Sequence, residues 1–589
     1  MKILAFAPHS AIWVHAFPEA LVLESLRQHG HEILYITCGE KLNGYCIPMS
    51  AVGLTCESSA SDKKSICDRC NTNARLLQDG FGFRGPDIAS LVHDSDQSQI
   101  TAIMETLTKE NYIEFAIDDV PVGRYALYEF LINHKKDSIK FSDFEWRRFQ
   151  PELKNALYAF FACRRLLDEE KPDRVAVYNA YYSVNHICCA LAEQRNIPHY
   201  YLHAGNNLSN RLQTISVSRG YGFATWNRNP HWETYKKLPC SKESLSSVTN
   251  HVLELLHGTS VFTYSASATR GSIDLRKYFG VRPSEKILIA TMSSTDERVA
   301  AEAIGVQFPD EGCIFPTQFE WIEALIKHFG GRFDTRLIIR VHPRNFPNKR
   351  EGVKSAQAVK LEKLLVDLPD NICVNWPSDN ISMYHLADIA DVILNGWSNA
   401  GKEMSLLGLP VVLYSHELVT SYPASINYVG DTLKTYFSEI ERAISDGWSF
   451  ENIRNAYRWC AFEYYRSLFD ISESFPAPAP LSADFLSRLK RRVIRGFFPN
   501  QRAMRDIANR APFLKEGKII NDLVSKGGTS VFDVISPQSP TEILFEQETA
   551  FLIAEIKRIY DVLYGGEGRE VCGGLGLKLK TLLDNNAVT

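Results

Sequence analysis

Two polar clusters carry the residue types that bind phosphate. The first is Arg340-Val341-His342-Pro343-Arg344-Asn345. There Arg340, His342 and Arg344 bring up to three positive donors together, and Pro343 fixes the turn. The second, about fifty residues on, is Asn395-Gly396-Trp397-Ser398-Asn399-Ala400-Gly401-Lys402-Glu403. Ser398 and Asn399 open a predicted helix, whose N–H groups at Gly401 and Lys402 are expected to be unpaired. Such a helix start attracts anions because its donors are free and its dipole is positive there. Glu403, one turn in, can accept hydrogen bonds from ribose hydroxyls. The two clusters together predict a nucleotide-phosphate pocket. Ser378, in Ser378-Asp379-Asn380, and the hydroxyl-rich turn Met292-Ser293-Ser294-Thr295-Asp296 are expected to border it.

Groups suited to moving a proton lie in the first half of the chain. Asp118 and Asp119, followed by Val120-Pro121-Val122-Gly123, put a carboxylate before a predicted helix Tyr125–His134. They are candidate general bases. His203, in His203-Ala204-Gly205-Asn206-Asn207, is a second candidate, and His9, Ser10 and His15 form a further polar loop. Cys56, Cys67 and Cys70 are spaced as an incomplete zinc half-site, with Cys38 and Cys46 as further thiols. A structural zinc is the metal they could hold; no catalytic metal is expected.

These groups need elements to place them. Residues 2–7, 32–37, Arg174–Tyr178 and 197–202 read as strands, with helices at Phe17–Gln28, Phe144–Glu170 and Val184–Arg195 between them. A second alternation begins at Lys286–Thr291 and continues through Leu337–Ile339, Asn371–Val374, Asp391–Leu394 and Leu409–Tyr414. Apolar strands separated by amphipathic helices imply parallel sheets buried on both faces. Ligands of such sheets sit beyond the carboxyl ends of the strands, where both phosphate clusters fall. The predicted organisation is an N-terminal Rossmann-like domain over 1–255, a C-terminal one over 256–475, and a mostly helical extension over 476–589.

With the His-Pro and Ser-motif pair in place, the sequence resembles the GT-B glycosyltransferases of bacterial capsule and surface-polysaccharide synthesis. Kdo transferases and polysialyltransferases are the nearest group, with teichoic-acid glycerophosphotransferases beside them. The resemblance is good over Ile287–Tyr414 and general over the N-terminal half. It departs at the Ser motif, which reads Trp-Ser-Asn, and at Asp118-Asp119-Val120, only partly like the acidic motif of sialyltransferases. It implies two Rossmann-like domains facing a cleft and a nucleotide-sugar donor, CMP-linked by preference, with CMP-Kdo as the named candidate. The implied acceptor is a glycan or lipid-linked glycan. Glycerophosphate transfer, sugar-nucleotide epimerisation and non-catalytic glycan assembly are the competing readings.

Composition sets outer limits. The 589 residues are 45% hydrophobic and 23% charged, with a net charge of −4. That balance gives no reason to expect nucleic-acid binding. Thirteen cysteines, no spanning apolar run and an apolar start too short for a signal peptide lead us to expect a cytoplasmic protein. Beyond the linker prolines Pro476, Pro478 and Pro480, a basic amphipathic helix at 484–498 is expected to touch anionic membrane.

Overall fold

A computed structural model describes the chain except residues 223–228, 259–261, 269–272, 309–312, 349–351, 417–425, 478–499, 536–544, 566–573 and 587–589. The predicted basic helix at 484–498 therefore lies outside the described residues.

Two sheets organise the molecule. The first contains β1 (Lys2–Phe6), β2 (Glu32–Ile36), β3 (Arg174–Tyr178), β4 (His199–Ala204) and β5 (Thr214–Arg219). The second contains β6 (Lys286–Thr291), β7 (Thr335–Arg340), β8 (Ile372–Asn375), β9 (Val392–Asn395), β10 (Val411–Leu413) and β11 (Tyr428–Val429). A last strand, β12 (Phe469–Asp470), returns to the first sheet. The orders are β12-β5-β4-β3-β1-β2 and β11-β10-β9-β6-β7-β8. The second sheet is parallel throughout. In the first, β5 and β12 pair antiparallel and the rest are parallel. The fold is thus two parallel-sheet α/β domains with added C-terminal helices, as expected.

The local reasons are ordinary. Ile3–Phe6 and Ile287–Ala290 are fully or almost fully buried, as strands covered on both faces must be. The long helix Asp143–Glu170 starts at a capping box between Ser142 and Glu145 and stops at Lys171 in the left-handed conformation. Between β2 and that helix the chain makes no further strand; Tyr112–Glu114 is a 3-10 turn, and Val122–Tyr125 and Tyr128–His134 are separate helices.

The segments outside the sheets join one core or the other. Helix Lys242–His257 packs its Leu245, Val248 and Val252 with the second sheet's core. After β12, Ile520, Leu523 and Val524 join the first sheet's core, whereas Leu552, Ile556 and Leu579 join the second's. The residues beyond 476 are divided between the two bodies. Those bodies also interlock, since Ala300 and Ile304, at the end of helix Asp296–Ala303, are buried in an N-terminal core.

Candidate functional site

Three loops leave the second sheet from one row. Thr291 of β6 stands level with Arg340 of β7 and Asn395 of β9, and those strands are neighbours. Thr291 Oγ1 donates to Asn395 Oδ1 at 2.6 Å, fixing the row. Sheet order therefore gathers Ser293–Asp296, His342–Asn345 and Ser398–Glu403, far apart in sequence, along one edge.

The geometry changes what several of these residues can do. His342 Nδ1 accepts the backbone N–H of Arg344 at 3.2 Å. A ring nitrogen that accepts carries no proton, so neutral His342 must carry its proton on Nε2. Burial, with Arg344, Arg340 and Lys135 nearby, pushes its pKa down to about 4. His342 is thus a neutral N–H donor at pH 7, not the cation expected.

Arg344 is not an open cation either. Its guanidinium pairs with buried Asp296, at 2.8 Å from Nη2 and 3.0 Å from Nε, and donates to Tyr264 Oη at 2.8 Å. Burial opposes the charge, but Glu297 and Asp296 hold its pKa above the usual value. Arg340 is buried and donates to Asn375 Oδ1 and, at 3.1 Å, to the Ile381 carbonyl. Burial lowers its pKa to about 10, against the pull of Asp379 and Glu403.

The Ser motif is partly self-satisfied. Ser398 caps helix Asn399–Ser405, its Oγ accepting the Ala400 N–H at 3.3 Å, and the Gly401 N–H turns to the Ser398 carbonyl. The expected free N–H of Gly401 is therefore used. The Ser398 hydroxyl proton is not consumed by the cap, and Asn399 is exposed. Lys402 pairs with Glu463 at 2.6 Å in a buried ion pair. Half-buried Glu403 accepts from Tyr384 Oη at 3.3 Å, and its pKa is raised by burial.

Ser293 has its backbone clamped by Gln318, through bonds of 2.7 and 3.0 Å. The Ser294 hydroxyl donates to Asp296. Ser378 is exposed in the 3-10 turn Pro377–Asp379.

The first sheet builds a facing rim in the same way. Phe6, Val177 and Tyr201 form a row across β1, β3 and β4; the loops beyond β1 and β3 carry His9 and Tyr182, and His203 lies near the end of β4 itself, paired with Ser216 of β5. His15 stacks on Tyr178 at 4.3 Å, and His203 on Tyr201 at 5.6 Å. Gly205 permits the turn after His203, because a Cβ there would meet Thr214 Oγ1 at 2.1 Å. His203 Nδ1 lies 2.9 Å from the Ala204 carbonyl, which can only accept. His203 therefore holds its proton on Nδ1 and presents a lone pair on Nε2. Burial, then Arg211, lowers its pKa to about 4. Burial likewise takes His9 and His15 down to about 3.

Burial lowers the pKa of His251 to about 3, with Lys402 and Arg211 adding to it, and its ring stacks on Tyr464 at 4.3 Å. Arg211 belongs to the loop after β4 and Lys402 to the Ser motif.

Asp118 and Asp119 are elsewhere. They form the exposed tip of a tight turn between Ile117 and Val120, at φ 48° and 63°. Asp118 pairs with Arg164 at 2.8 Å, and its carbonyl accepts from Gln194 at 2.7 Å. Arg164 and Gln194 lie near the ends of helices that lead into the amino ends of β3 and β4. The two acids thus sit at the opposite end of the sheet from the histidines. Their expected role as base is corrected by that placement.

A carboxylate that does stand at the carboxyl edge is Glu129. Its Oε1 accepts the Ser183 N–H at 2.7 Å just beyond β3, and its buried Oε2 has no protein partner. Burial raises its pKa to about 7, opposed by the Ser183 hydrogen bond. A lone acid inside Tyr-Glu-Phe-Leu-Ile was the available sequence signal.

The three cysteines considered for zinc gather at one apolar cluster. Cys67 and Cys70 are buried with Ala11, Tyr45, Met49 and Ile66, and Cys56 packs at the edge of that cluster. Burial pushes the Cys70 thiol up to about 11. Among the described residues no group of three or more His, Cys, Asp or Glu side chains is arranged to hold a metal ion.

No protein-family model and no curated protein matches the chain. Among solved structures it is similar to the UDP-GlcNAc 2-epimerase of Neisseria meningitidis bound to UDP-GlcNAc. That match has 11% identity over 79% of this chain and 96% of the other, with a TM-score of 0.21. It is similar also to the glycosyltransferase SnogD of Streptomyces nogalater, at 13% identity over 79% and 94% of the chains, TM-score 0.21. The UDP-GlcNAc 2-epimerase of Methanocaldococcus jannaschii gives 12%, 78% and 98%, with a TM-score of 0.23. Likenesses this loose carry no functional information. Among the described residues, no helix is long and apolar enough to cross a membrane.

Proposed function

We propose that the protein is a GT-B glycosyltransferase that takes its sugar from a nucleotide donor. The donor phosphate would lie along the edge of the second sheet and the acceptor along the edge of the first. One observation carries this reading: the two edges present histidines of opposite tautomer. His342 offers an N–H from Nε2, and His203 a lone pair from Nε2. Transfer of a sugar can use such a pair. The acceptor oxygen forms a bond to the anomeric carbon while its proton passes to His203. The bond from that carbon to the phosphate oxygen breaks, and the oxygen leaves with the electron pair. His342 Nε2–H and the Ser398 hydroxyl hydrogen-bond to that developing negative charge, the kind of preorganised stabilisation that dominates many enzymes. In this reading Glu403 would accept from a ribose hydroxyl. A CMP-activated sugar is our preferred donor, on the ordered His-Pro and Ser motifs. A glycan or lipid-linked glycan is the proposed acceptor, and the inner face of a membrane the proposed place of work.

Thermal-shift and calorimetric titration with CMP, CDP and UDP tests the donor half directly. A nucleotide at a hundred times its Kd raises stability by about 2.7 kcal/mol. We expect CMP to give the largest shift, lost in His342→Ala. Absence of any shift with all three nucleotides would sink the proposal.

A further inference from the structure

The turn after helix Tyr128–His134 belongs to the N-terminal half, yet its first residue reaches into the other. Lys135 is 1% exposed, and its backbone lies in the left-handed region at φ 46°. Its Nζ donates to the Arg344 carbonyl at 2.6 Å and to the Val353 carbonyl at 2.9 Å. Burying an ammonium and holding a non-glycine residue at positive φ both cost free energy. Their coincidence at one residue calls for a compensating role.

The contacts indicate which role. Arg344 supplies the N–H that fixes the tautomer of His342. Its side chain is held from within its own domain by Asp296 and Tyr264. Its carbonyl is held from the other domain by Lys135. The residue that orients the phosphate-side histidine is thus gripped from both halves at once. Other contacts cross between the halves as well: Lys360 pairs with Asp137 at 2.7 Å, and Ala300 and Ile304 enter the N-terminal core.

We propose that Lys135 is a positioning residue that ties closure of the two domains to the geometry of the phosphate site. The inference rests on reading His342 as the phosphate donor. With the Arg344 carbonyl released, the loop loses its second anchor and His342 its fixed orientation. By linkage, a nucleotide that favours the anchored loop must favour the closed domains by the same factor.

The test uses the full chain carrying Lys135→Met. CMP and UDP affinities are measured by calorimetry, amide exchange over residues 343–346 by mass spectrometry, and the His342 ring titration by NMR. The charged and titratable groups facing that ring are Arg344, Asp296, Arg340, Lys135 and Tyr264. We expect nucleotide affinity to fall by about 5–150-fold, the ordinary span of coupling between sites. Exchange over 343–346 should quicken, and the His342 midpoint should rise from about 4 toward its ordinary 6.5. Lys360→Met, which breaks only a more exposed pair, should leave all three unchanged.

If the parent protein binds neither nucleotide, the donor reading fails, while exchange and titration still judge Lys135. A folded Lys135→Met with unchanged exchange and titration overturns the inference. Should that variant not fold, Lys135→Arg keeps the charge and removes the fit. Exchange should then quicken with the titration unmoved, and unchanged exchange is again the overturning result.

Discussion

The two strand-end rims both present neutral histidines, and they reach that state by different means. Around His342 the neighbours are charged and paired: Arg344 with Asp296, Lys402 with Glu463, and Arg340 on an amide and a carbonyl. Around His203 they are aromatic: Tyr178 and Tyr201 stack near the ring, and Arg211 is the charge that acts on it. One rim surrounds its histidine with paired charges, the other with aromatic rings. The contrast shows that the charges expected to bind phosphate are largely committed to one another. What remains for a ligand on the second sheet are neutral donors held in place by that network.

The largest effect should come from breaking the charged rim itself. Arg344→Met strands Asp296, which is 3% exposed. Removing one member of a buried pair costs about 3–5 kcal/mol. Denaturant unfolding should show that loss, with part of it recovered in Arg344→Met/Asp296→Asn. A loss under 1 kcal/mol would mean the network is not what organises this rim.

A sharper division comes from the histidines. His342→Ala should weaken nucleotide binding by about 1.5–3 kcal/mol, the usual worth of a hydrogen bond to a charged group. His203→Ala should leave nucleotide affinity intact and reduce turnover. Equal losses of affinity in both variants would erase the distinction between the rims.

A third prediction uses pH and the acid beneath the aromatic rim. Glu19 is buried, with Oε1 unpartnered, and burial raises its pKa to about 8 from an ordinary 4.5, opposed by a hydrogen bond from the Tyr178 backbone. Between those values the folded state binds more protons than the unfolded state, so stability falls as pH rises from 4.5 to 8. The slope from this one group is at most about 1.4 kcal/mol per pH unit. Glu19→Gln should flatten the curve and make the variant the more stable protein near pH 8. An unchanged pH profile of the melting temperature would assign the slope to other groups.

The smallest effect should be at the acidic turn. Asp118→Asn and Asp119→Asn lie at the far end of the first sheet, and exposed substitutions of this kind usually change stability by less than about 0.5 kcal/mol. Both should keep turnover within a few-fold of the parent. A hundredfold loss in either would return the base to that turn.

Much of the fold was legible because burial leaves a plain mark. Runs such as Ile287–Ala290 and Val392–Leu394 are apolar on both faces, and only a covered parallel strand explains them. The polar residues that stop each run marked the strand ends. Less was legible where no run exists: β5, Thr-Ile-Ser-Val-Ser-Arg, alternates polar and apolar, and β12 is two residues long. The acidic turn misled for a different reason. Asp118 and Asp119 have the residue types of a base, but sequence alone does not say which end of a sheet a connecting loop reaches.

By itself, then, the sequence determined the two alternating α/β halves and the strand-end positions of His342, Ser398 and His203. Those follow from hydrophobic period and residue type, which are local. The tertiary structure alone decided that Arg344 belongs to Asp296, that Glu129 and not Asp118 stands at the carboxyl edge, and that Lys135 crosses between domains. It also decided which nitrogen of each histidine carries the proton. These depend on partners that for Lys135 and Arg344 lie 209 residues apart, and on exclusion of water. Neither can be read from the order of residues along the chain.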